Sequence, residues 1–177
     1  MRDLIDLIED YARRRPEEGD VAARFLEFAR SGEELRGKGN PARHVTASAW
    51  VVNVDRSRTL LTHHRKLGIW VQLGGHTEPG EAWRDAALRE AREESGLSGF
   101  RFLEEGLFDL DIHTFFGKGK VPDHLHYDLR FLLEADDRVP LAVSAESRDL
   151  RWVDFAELGE YSREESIARM AKKTPRR

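Results

Sequence analysis

The chain has 177 residues, of which 40% are hydrophobic and 35% charged, and this length suffices for one domain with a proper core. The absence of cysteine excludes disulfides, thiolate metal sites and cysteine nucleophiles, and the formal net charge of −4 offers no general attraction for nucleic acid or membranes. The first fifteen residues, MRDLIDLIEDYARRR, interleave acids with apolar residues. They therefore resemble neither a signal peptide nor a transmembrane segment, and we expect a cytoplasmic protein.

The N-terminal region carries two stretches of helical periodicity. Apolar residues recur at helical spacing over residues 3–14 and 20–31, and Pro16–Gly19 separates the two stretches. A Gly- and Pro-containing linker follows at 37–41. We therefore predict an N-terminal helical extension over residues 1–38 and one globular domain over residues 39–177. The extension could cover the core, form a dimer contact or act as a lid.

The rest of the chain reads as strands interrupted by one long helix. The strand-like segments are 44–54, 58–63, 69–73, 100–116, 125–135 and 149–153, and residues 161–172 suggest a C-terminal helix. This order predicts an α/β fold in which a mixed sheet is flanked by helices, an α/β/α sandwich.

Residues 75–97, GHTEPGEAWRDAALREAREESGL, contain the most informative segment of the chain. An apolar run ends at Gly74-Gly75, which we interpret as a turn that allows close backbone approach to an ion or phosphate. A helix follows, with an apolar strip formed by Ala87, Leu88 and Ala91 that would dock on a sheet. Gly96 is placed to end this helix as a C-terminal cap.

Three glutamates share one face of this helix. Glu90, Glu93 and Glu94 fall within an arc of roughly 100°, and like charges at this spacing repel. A divalent cation would turn that repulsion into coordination, because Mg²⁺ and Mn²⁺ take oxygen ligands. The alternative is a solvated, charge-rich helix face.

The spacing around these glutamates resembles the signature of the Nudix hydrolases. The matching positions are Gly75, Glu81, Arg89-Glu90, Glu93-Glu94 and Gly96-Leu97. The one departure is the small Ala91 where a bulky aliphatic residue is usual, which should loosen helix packing without removing a catalytic group. The resemblance implies an α/β/α sandwich and metal-dependent hydrolysis of a pyrophosphate linkage in a nucleoside diphosphate linked to some moiety X. The products would be a nucleotide and X-phosphate.

The resemblance also implies roles for individual residues. Mg²⁺ or Mn²⁺ would be held by Glu90, Glu93, Glu94 and the carbonyl of Gly75. We call the segment that carries this signature, Gly75–Leu97, the Nudix box. Arg89 would fix the rotamer of a glutamate in this box, and Glu81 would anchor the loop to the helix or support the metal shell. Several Nudix hydrolases carry a catalytic or metal-binding glutamate in a loop before a Trp-containing strand, a position that Glu146 matches. Glu90 and Glu146 are the candidates for the general base, and the catalytic set is Glu90, Glu93, Glu146 and Arg89.

Histidines raise a second question. Asp109, Asp111 and His113 alternate along one predicted strand, and His124, His126 and Asp128 along another, so each set shares a face. A pair of histidines with a nearby acid can bind a transition metal. We favour instead a polar, hydrogen-bonded face that borders the cleft. Contacts to substrate are predicted for four side chains, namely His63, Arg65, His76 and His126, and the first three would reach its phosphates.

The predicted partner is a small-molecule nucleoside diphosphate derivative. We expect no association with a membrane, and a homodimer is left open. A nucleotide sensor without catalysis is an alternative, although no box residue is missing. Removal of pyrophosphate from RNA 5′ ends is another, and the acidic net charge disfavours it. An isomerase of the isopentenyl diphosphate type shares the fold but uses a cysteine, which this chain lacks.

Overall fold

The structure is a computed structural model that describes residues 2–117, 119 and 121–177. Within those residues, eight strands form one mixed sheet. The strands are β1 Arg43–Val52, β2 Arg58–His64, β3 Trp70–Val71, β4 Leu73–His76, β5 Arg101–Phe102, β6 Asp109–Phe115, β7 His124–Glu134 and β8 Ser147–Asp154.

The centre of the sheet is a parallel pair. β1 runs parallel to β7, in register from Arg43 opposite Leu125 to Val52 opposite Glu134. Every other pairing is antiparallel: β2 and β4 with β1, β3 and β8 with β2, and β5 and β6 with β7. Nearly all residues of β1 and β7 are buried, because helices cover both faces at the sheet centre.

Five α-helices flank the sheet in the described part of the chain: α1 Arg2–Arg14, α2 Gly19–Arg30, α3 Trp83–Ser95, α4 Leu158–Tyr161 and α5 Glu165–Lys173. Short 3-10 turns occupy Pro16–Glu18 and Gly37–Gly39. None of these helices combines the length and the apolarity needed to cross a lipid bilayer.

The two faces of the sheet belong to two apolar clusters. Val45, Ala47, Ala49 and Val51 of β1 pack with α1, α2 and α3. The alternate residues of β1 face the other way, and Trp50 packs with α4 and α5. The layers are therefore helix, mixed sheet and helix, with the N-terminal helices preceding the sheet in sequence, and the predicted fold class is confirmed.

The N-terminal helices cover the core. Leu4, Ile8 and Tyr11 of α1 are buried, as are Phe25 and Phe28 of α2. The rings of Phe25 and Phe28 lie 5.1 and 4.7 Å from that of Tyr127 on β7. Of the three roles left open by the sequence, core covering is the one these contacts display. The domain boundary at residue 38 stays a prediction.

Three predicted segments differ from the structure. Gly74-Gly75 is not a turn, because both glycines lie inside β4, opposite Ser48 and Ala47 of β1. The segment 69–73 accordingly divides between β3 and β4. Non-local pairing with β1 extends the strand to His76, past the glycines that were read as its end.

The other two segments are each interrupted. Residues 100–116 form β5 and β6, since the chain leaves the ladder between the hydrogen bonds from Leu103 N to Leu132 O and from Phe108 N to Arg130 O. The predicted helix 161–172 is instead α4 and α5, separated by extended backbone at Ser162. The Ser162 hydroxyl accepts a hydrogen bond from the N–H of Glu164, a local bond that competes with helix continuation.

Candidate functional site

Helix α3 carries the carboxylates and is held by its apolar face. Trp83, Ala86, Ala87 and Ala91 are buried against the sheet. Gly96 ends the helix with φ of 71°, the left-handed conformation that glycine adopts without strain, so the predicted cap is confirmed. This docking leaves the glutamates of α3 facing the end of β4.

Two of the three glutamates lie on the glycine pair of β4. Glu94 Oε2 accepts a hydrogen bond of 2.9 Å from the N–H of Gly74. A Cβ atom at Gly75 would lie 2.8 Å from both carboxylate oxygens of Glu90, and one at Gly74 would overlap Ser48. Side chains at these positions would displace the carboxylate of Glu90 and push β4 from β1. The glycines therefore let the two carboxylates approach the backbone of β4, and the predicted approach of an ion or phosphate stays a prediction.

Arg89 ties the box together. Its guanidinium binds both oxygens of Glu81, at 2.9 and 3.0 Å, and reaches Glu90 at 2.8 Å and Glu93 at 3.2 Å. It also donates to the carbonyl of His76 at 2.9 Å. The hydrogen bonds from Arg89 hold the pKa of Glu81 below its usual value. The predicted pairing of Arg89 with box glutamates is present. Arg89 therefore supplies a cation to a helix face that, in the sequence, shows only the carboxylates of Glu90, Glu93 and Glu94.

Burial dominates the electrostatics of Glu90 and Glu94. Burial raises the pKa of Glu90 despite Arg89, and the charges of Glu93 and Glu146 raise it further. Burial likewise raises the pKa of Glu94 to about 7, and the hydrogen bond from Gly74 only partly opposes this. Glu93 is more open, with 60% of its side chain exposed. Crowded oxygen donors of this kind suit a hard divalent cation, which would stabilise their ionised form.

Glu146 lies in an exposed loop that is held by Arg65, the residue that follows β2. Arg65 donates to the carbonyls of Ala145 and Ser147, both at 2.9 Å, and its N–H binds the carbonyl of Glu146 at 2.9 Å. The charge of Glu146 raises the pKa of both Glu90 and Glu94, so its carboxylate shares their surroundings. The guanidinium of Arg65 thus lies on the loop backbone, and its predicted contact to a substrate phosphate stays a prediction.

A polar network lines the face of the sheet that α5 covers. The fully buried Arg130 binds Asp128 at 2.8 Å, Asp111 at 3.1 Å and Asp109 at 3.2 Å. Arg169 of α5 closes the network onto Asp109 and Asp111. The interpretation of these acids as a hydrogen-bonded strand face is therefore confirmed. Sequence reasoning missed Arg130, although its alternation with Asp128 along β7 was a usable signal.

The predicted substrate-binding histidines separate in space. His76 and His126 join a group that also contains His44 and His124. His63 instead stacks on Trp70, with ring centroids 5.1 Å apart. His44 was missed as a site residue, because its neighbours in the group are distant in sequence.

Comparison with known proteins agrees with this geometry. The family model described as the NUDIX domain matches residues 42–175, which is most of the chain. The chain belongs to the Nudix family. The match begins at the residue before β1 and takes in the carboxylate helix and α5. The resemblance inferred from the box is therefore confirmed, and with it the prediction of a Nudix enzyme at the level of the family.

Two curated relatives are similar over part of their length. A probable DHNTP pyrophosphohydrolase of Lactococcus lactis is 32% identical over 111 residues, which cover 61% of this Nudix chain and 64% of that protein. A putative 8-oxo-dGTP diphosphatase of Bacillus subtilis is 33% identical over 78 residues, covering 41% of this chain and 52% of that one. The chain thus spans between about half and two thirds of the length of these relatives.

Solved structures agree in fold. A C. elegans Ap4A hydrolase in a binary complex superposes with a TM-score of 0.59 at 18% identity, over 73% of this chain and 93% of that one. The E. coli dihydroneopterin triphosphate pyrophosphohydrolase gives a TM-score of 0.57 at 16% identity, over 80% and 97%. At these identities the likeness concerns the Nudix fold alone.

Proposed function

We propose that the protein is a divalent-metal-dependent hydrolase that cleaves a pyrophosphate linkage in a nucleoside diphosphate linked to X. The observation that carries the proposal is the pair formed by the half-buried Glu90 and the buried Glu94, which lie against Gly75 and Gly74. Protonation of these carboxylates is favoured by burial, and an ion with oxygen ligands would reverse that preference.

The donor set fits Mg²⁺ or Mn²⁺. Glu90, Glu93, Glu94 and the carbonyl of Gly75 would hold the ion. When bound, it would offset phosphate charge and lower the pKa of a coordinated water.

The chain's own residues orient the metal-binding glutamates and deprotonate the attacking water. Arg89 holds Glu90 and Glu93 in place while its bidentate bond to Glu81 fixes the loop before the helix. Either Glu90 or Glu146 accepts the proton of the attacking water as general base. The products are a nucleotide and X-phosphate.

The substrate class rests on chemistry and on the relatives. One relative is named for a pyrophosphohydrolase and another for a diphosphatase activity, and both names concern small nucleotide derivatives. All box residues are present, which favours an enzyme over a nucleotide sensor. The net charge of −4 disfavours RNA 5′ ends as substrates. A cytoplasmic location and a homodimer remain predictions.

A substrate panel tests the proposal directly. Nucleoside diphosphate sugars, dinucleotides, ADP-ribose and nucleoside triphosphates are incubated with the protein in Mg²⁺ or Mn²⁺, and the products are identified by mass spectrometry. We expect cleavage of a pyrophosphate linkage that stops with chelator. Full activity in excess EDTA would contradict the proposal.

Variants of the box provide the second arm. Glu93→Gln and Glu94→Gln should each reduce turnover by about a hundredfold or more, as expected when a metal ligand or base is lost. Glu27→Gln, an exposed acid on α2, is the matched control and should leave turnover unchanged. Near-normal turnover in both box variants would favour the sensor.

A further inference from the structure

Four histidines converge where β1, β4 and β7 meet. His44 of β1 is the register partner of His126 on β7, and His76 of β4 lies opposite the nearby Thr46. The ring centroids of His44 lie 4.8 Å from those of His124 and His126 and 4.9 Å from that of His76. Side chains from three strands therefore point into one small volume.

Backbone hydrogen bonds fix the tautomers of two of these rings. His44 Nδ1 lies 3.2 Å from the carbonyl of Asn40, and His124 Nδ1 lies 2.9 Å from the carbonyl of Pro122. A carbonyl oxygen only accepts, so each Nδ1 carries the proton and each neutral ring keeps its lone pair on Nε2. An Nδ1–H bonded to a carbonyl is the arrangement that orients histidines whose Nε2 binds a metal.

These lone pairs face other ring nitrogens. His124 Nε2 lies 3.0 Å from His126 Nε2, and His44 Nε2 lies 3.0 Å from His76 Nε2. Two nitrogens bound to one tetrahedral Zn²⁺ at about 2.0–2.1 Å would be about 3.3 Å apart. The nitrogen–nitrogen distance in each of these two pairs is therefore close to the distance between two ligands of the same metal ion.

Three of the rings form a buried set. His44, His124 and His126 are at most 9% exposed, and one ring nitrogen from each lies within 4.8 Å of the others. These separations extend beyond the tetrahedral edge, so binding would draw the ring nitrogens together by up to about 1.5 Å.

We propose that His44, His124 and His126 form a second metal site, which takes a transition-metal ion of the Zn²⁺ type, with His76 lining the fourth coordination position. Its nitrogen donors distinguish it from the oxygen donors of the glutamates, so the two sites select different ions. The proposal does not depend on the hydrolase activity. It revises the preference drawn from sequence, because the parallel register of β1 and β7 adds a third nitrogen to the two of His124 and His126.

Metal binding to a carboxylate-deficient variant tests this site. The double variant Glu90→Gln/Glu94→Gln removes the oxygen site while leaving the histidines in place. Titration of metal-free protein with Co²⁺, followed by visible absorption, and with Zn²⁺, in competition with a chromophoric chelator, should show one tightly bound equivalent. Absence of such binding in this variant and in the parent would overturn the proposal.

Histidine variants assign the ligands. His124→Gln and His126→Gln should each weaken Zn²⁺ binding by at least about tenfold, since even substitutions beyond the ligands cost this much. His63→Gln, whose ring stacks on Trp70 outside the group, is the control and should bind Zn²⁺ like the parent. Unchanged Zn²⁺ affinity in both histidine variants would mean that the rings only bind one another by hydrogen bonds.

A measurement on the parent protein guards against misfolded variants. Zinc X-ray absorption on the Zn²⁺-loaded parent, in the presence of excess Mg²⁺, should show a shell of imidazole nitrogens. Thermal unfolding of each histidine variant identifies any that fail to fold. A coordination shell made only of oxygen would contradict the proposal whatever the variants show.

Discussion

The guanidinium of Arg36 donates a hydrogen bond of 2.7 Å to the backbone carbonyl of Glu81, inside the Nudix box. A second bond of 2.7 Å reaches the carbonyl of Glu78, and the guanidinium lies 4.0 Å from the ring centre of Trp83, the first residue of α3. The segment that joins the N-terminal helices to the sheet therefore holds the loop from which Glu81 reaches Arg89. The extension is connected to the loop before α3 as well as to the core.

Replacement of Arg36 should consequently loosen this loop. We expect Arg36→Ala to lower the free energy of unfolding by about 1–3 kcal/mol, since two hydrogen bonds from a charged group and a cation–π contact are lost. Urea denaturation measures the change. Arg13→Ala, which removes an exposed ion pair with Asp10, is the control and should change the value by less than about 0.5 kcal/mol. Equal changes in the free energy of unfolding of the two variants would show that the Arg36 contacts stabilise the fold no more than an exposed ion pair does.

Glu94 should make the metal-free protein less stable as pH rises. Its pKa is raised from 4.5 to about 7 by burial, so between these values the unfolded chain loses a proton that the folded chain keeps. The free energy of unfolding therefore falls as pH increases through this window, by up to about 3 kcal/mol. Below about pH 4.5 the effect is absent, because both states are protonated.

Unfolding by urea in EDTA, at pH 5 and pH 8, separates this effect from others. Glu94→Gln should be more stable than the parent at pH 8 and closer to it at pH 5. The Glu93 side chain is 60% exposed, so the stability difference between Glu93→Gln and the parent should change less between the two pH values. Addition of Mn²⁺ at pH 8 should stabilise the parent more than Glu94→Gln. A parent and a Glu94→Gln variant with parallel pH profiles would contradict the assignment.

The sequence predicted what depends on local periodicity and on fixed spacing. The carboxylate helix, its buried alanine strip and its Gly96 cap all follow from residues within one segment. The interruption of residues 100–116 did not, because it depends on where the chain leaves β7. For the same reason, the position of Gly74-Gly75 inside a strand follows from pairing with β1, which no local pattern encodes.

The site shows the same division. Pairing of Arg89 with glutamates could be inferred because all partners lie in the box. The histidine group could not, since His44 meets His126 only through the parallel register of β1 and β7. For Arg130 the alternation with Asp128 along β7 was a usable signal, whereas its pairing with Asp109 and Asp111 depends on β6, which lies across a loop.

The general base can be assigned by comparing two glutamates. Glu146 is exposed in a loop, whereas Glu90 lies against Gly75 within the carboxylate group. We expect Glu146→Gln to lower kcat while leaving Mn²⁺ affinity nearly unchanged, and Glu90→Gln to weaken Mn²⁺ binding as well. Mn²⁺ titrations and single-turnover rates on both variants provide the comparison. A single-turnover rate for Glu146→Gln within about threefold of the parent, under 1 kcal/mol in barrier, would make Glu146 an ordinary surface acid.

Arg65 should act on catalysis through the Glu146 loop. Its side chain binds the carbonyls on either side of Glu146, at Ala145 and Ser147. If it is a positioning residue, Arg65→Ala should lower kcat with little change in KM, and Arg65→Lys should restore little, since one ammonium cannot reproduce the planar fork. In the Glu146→Gln background the same Arg65→Ala change should have almost no further effect, because the effects of residues that act through one another are not additive.

A direct contact of Arg65 with a substrate phosphate predicts the opposite pattern: a raised KM that persists in the Glu146→Gln background. Steady-state kinetics on the parent, the two single variants and the double variant distinguish these roles.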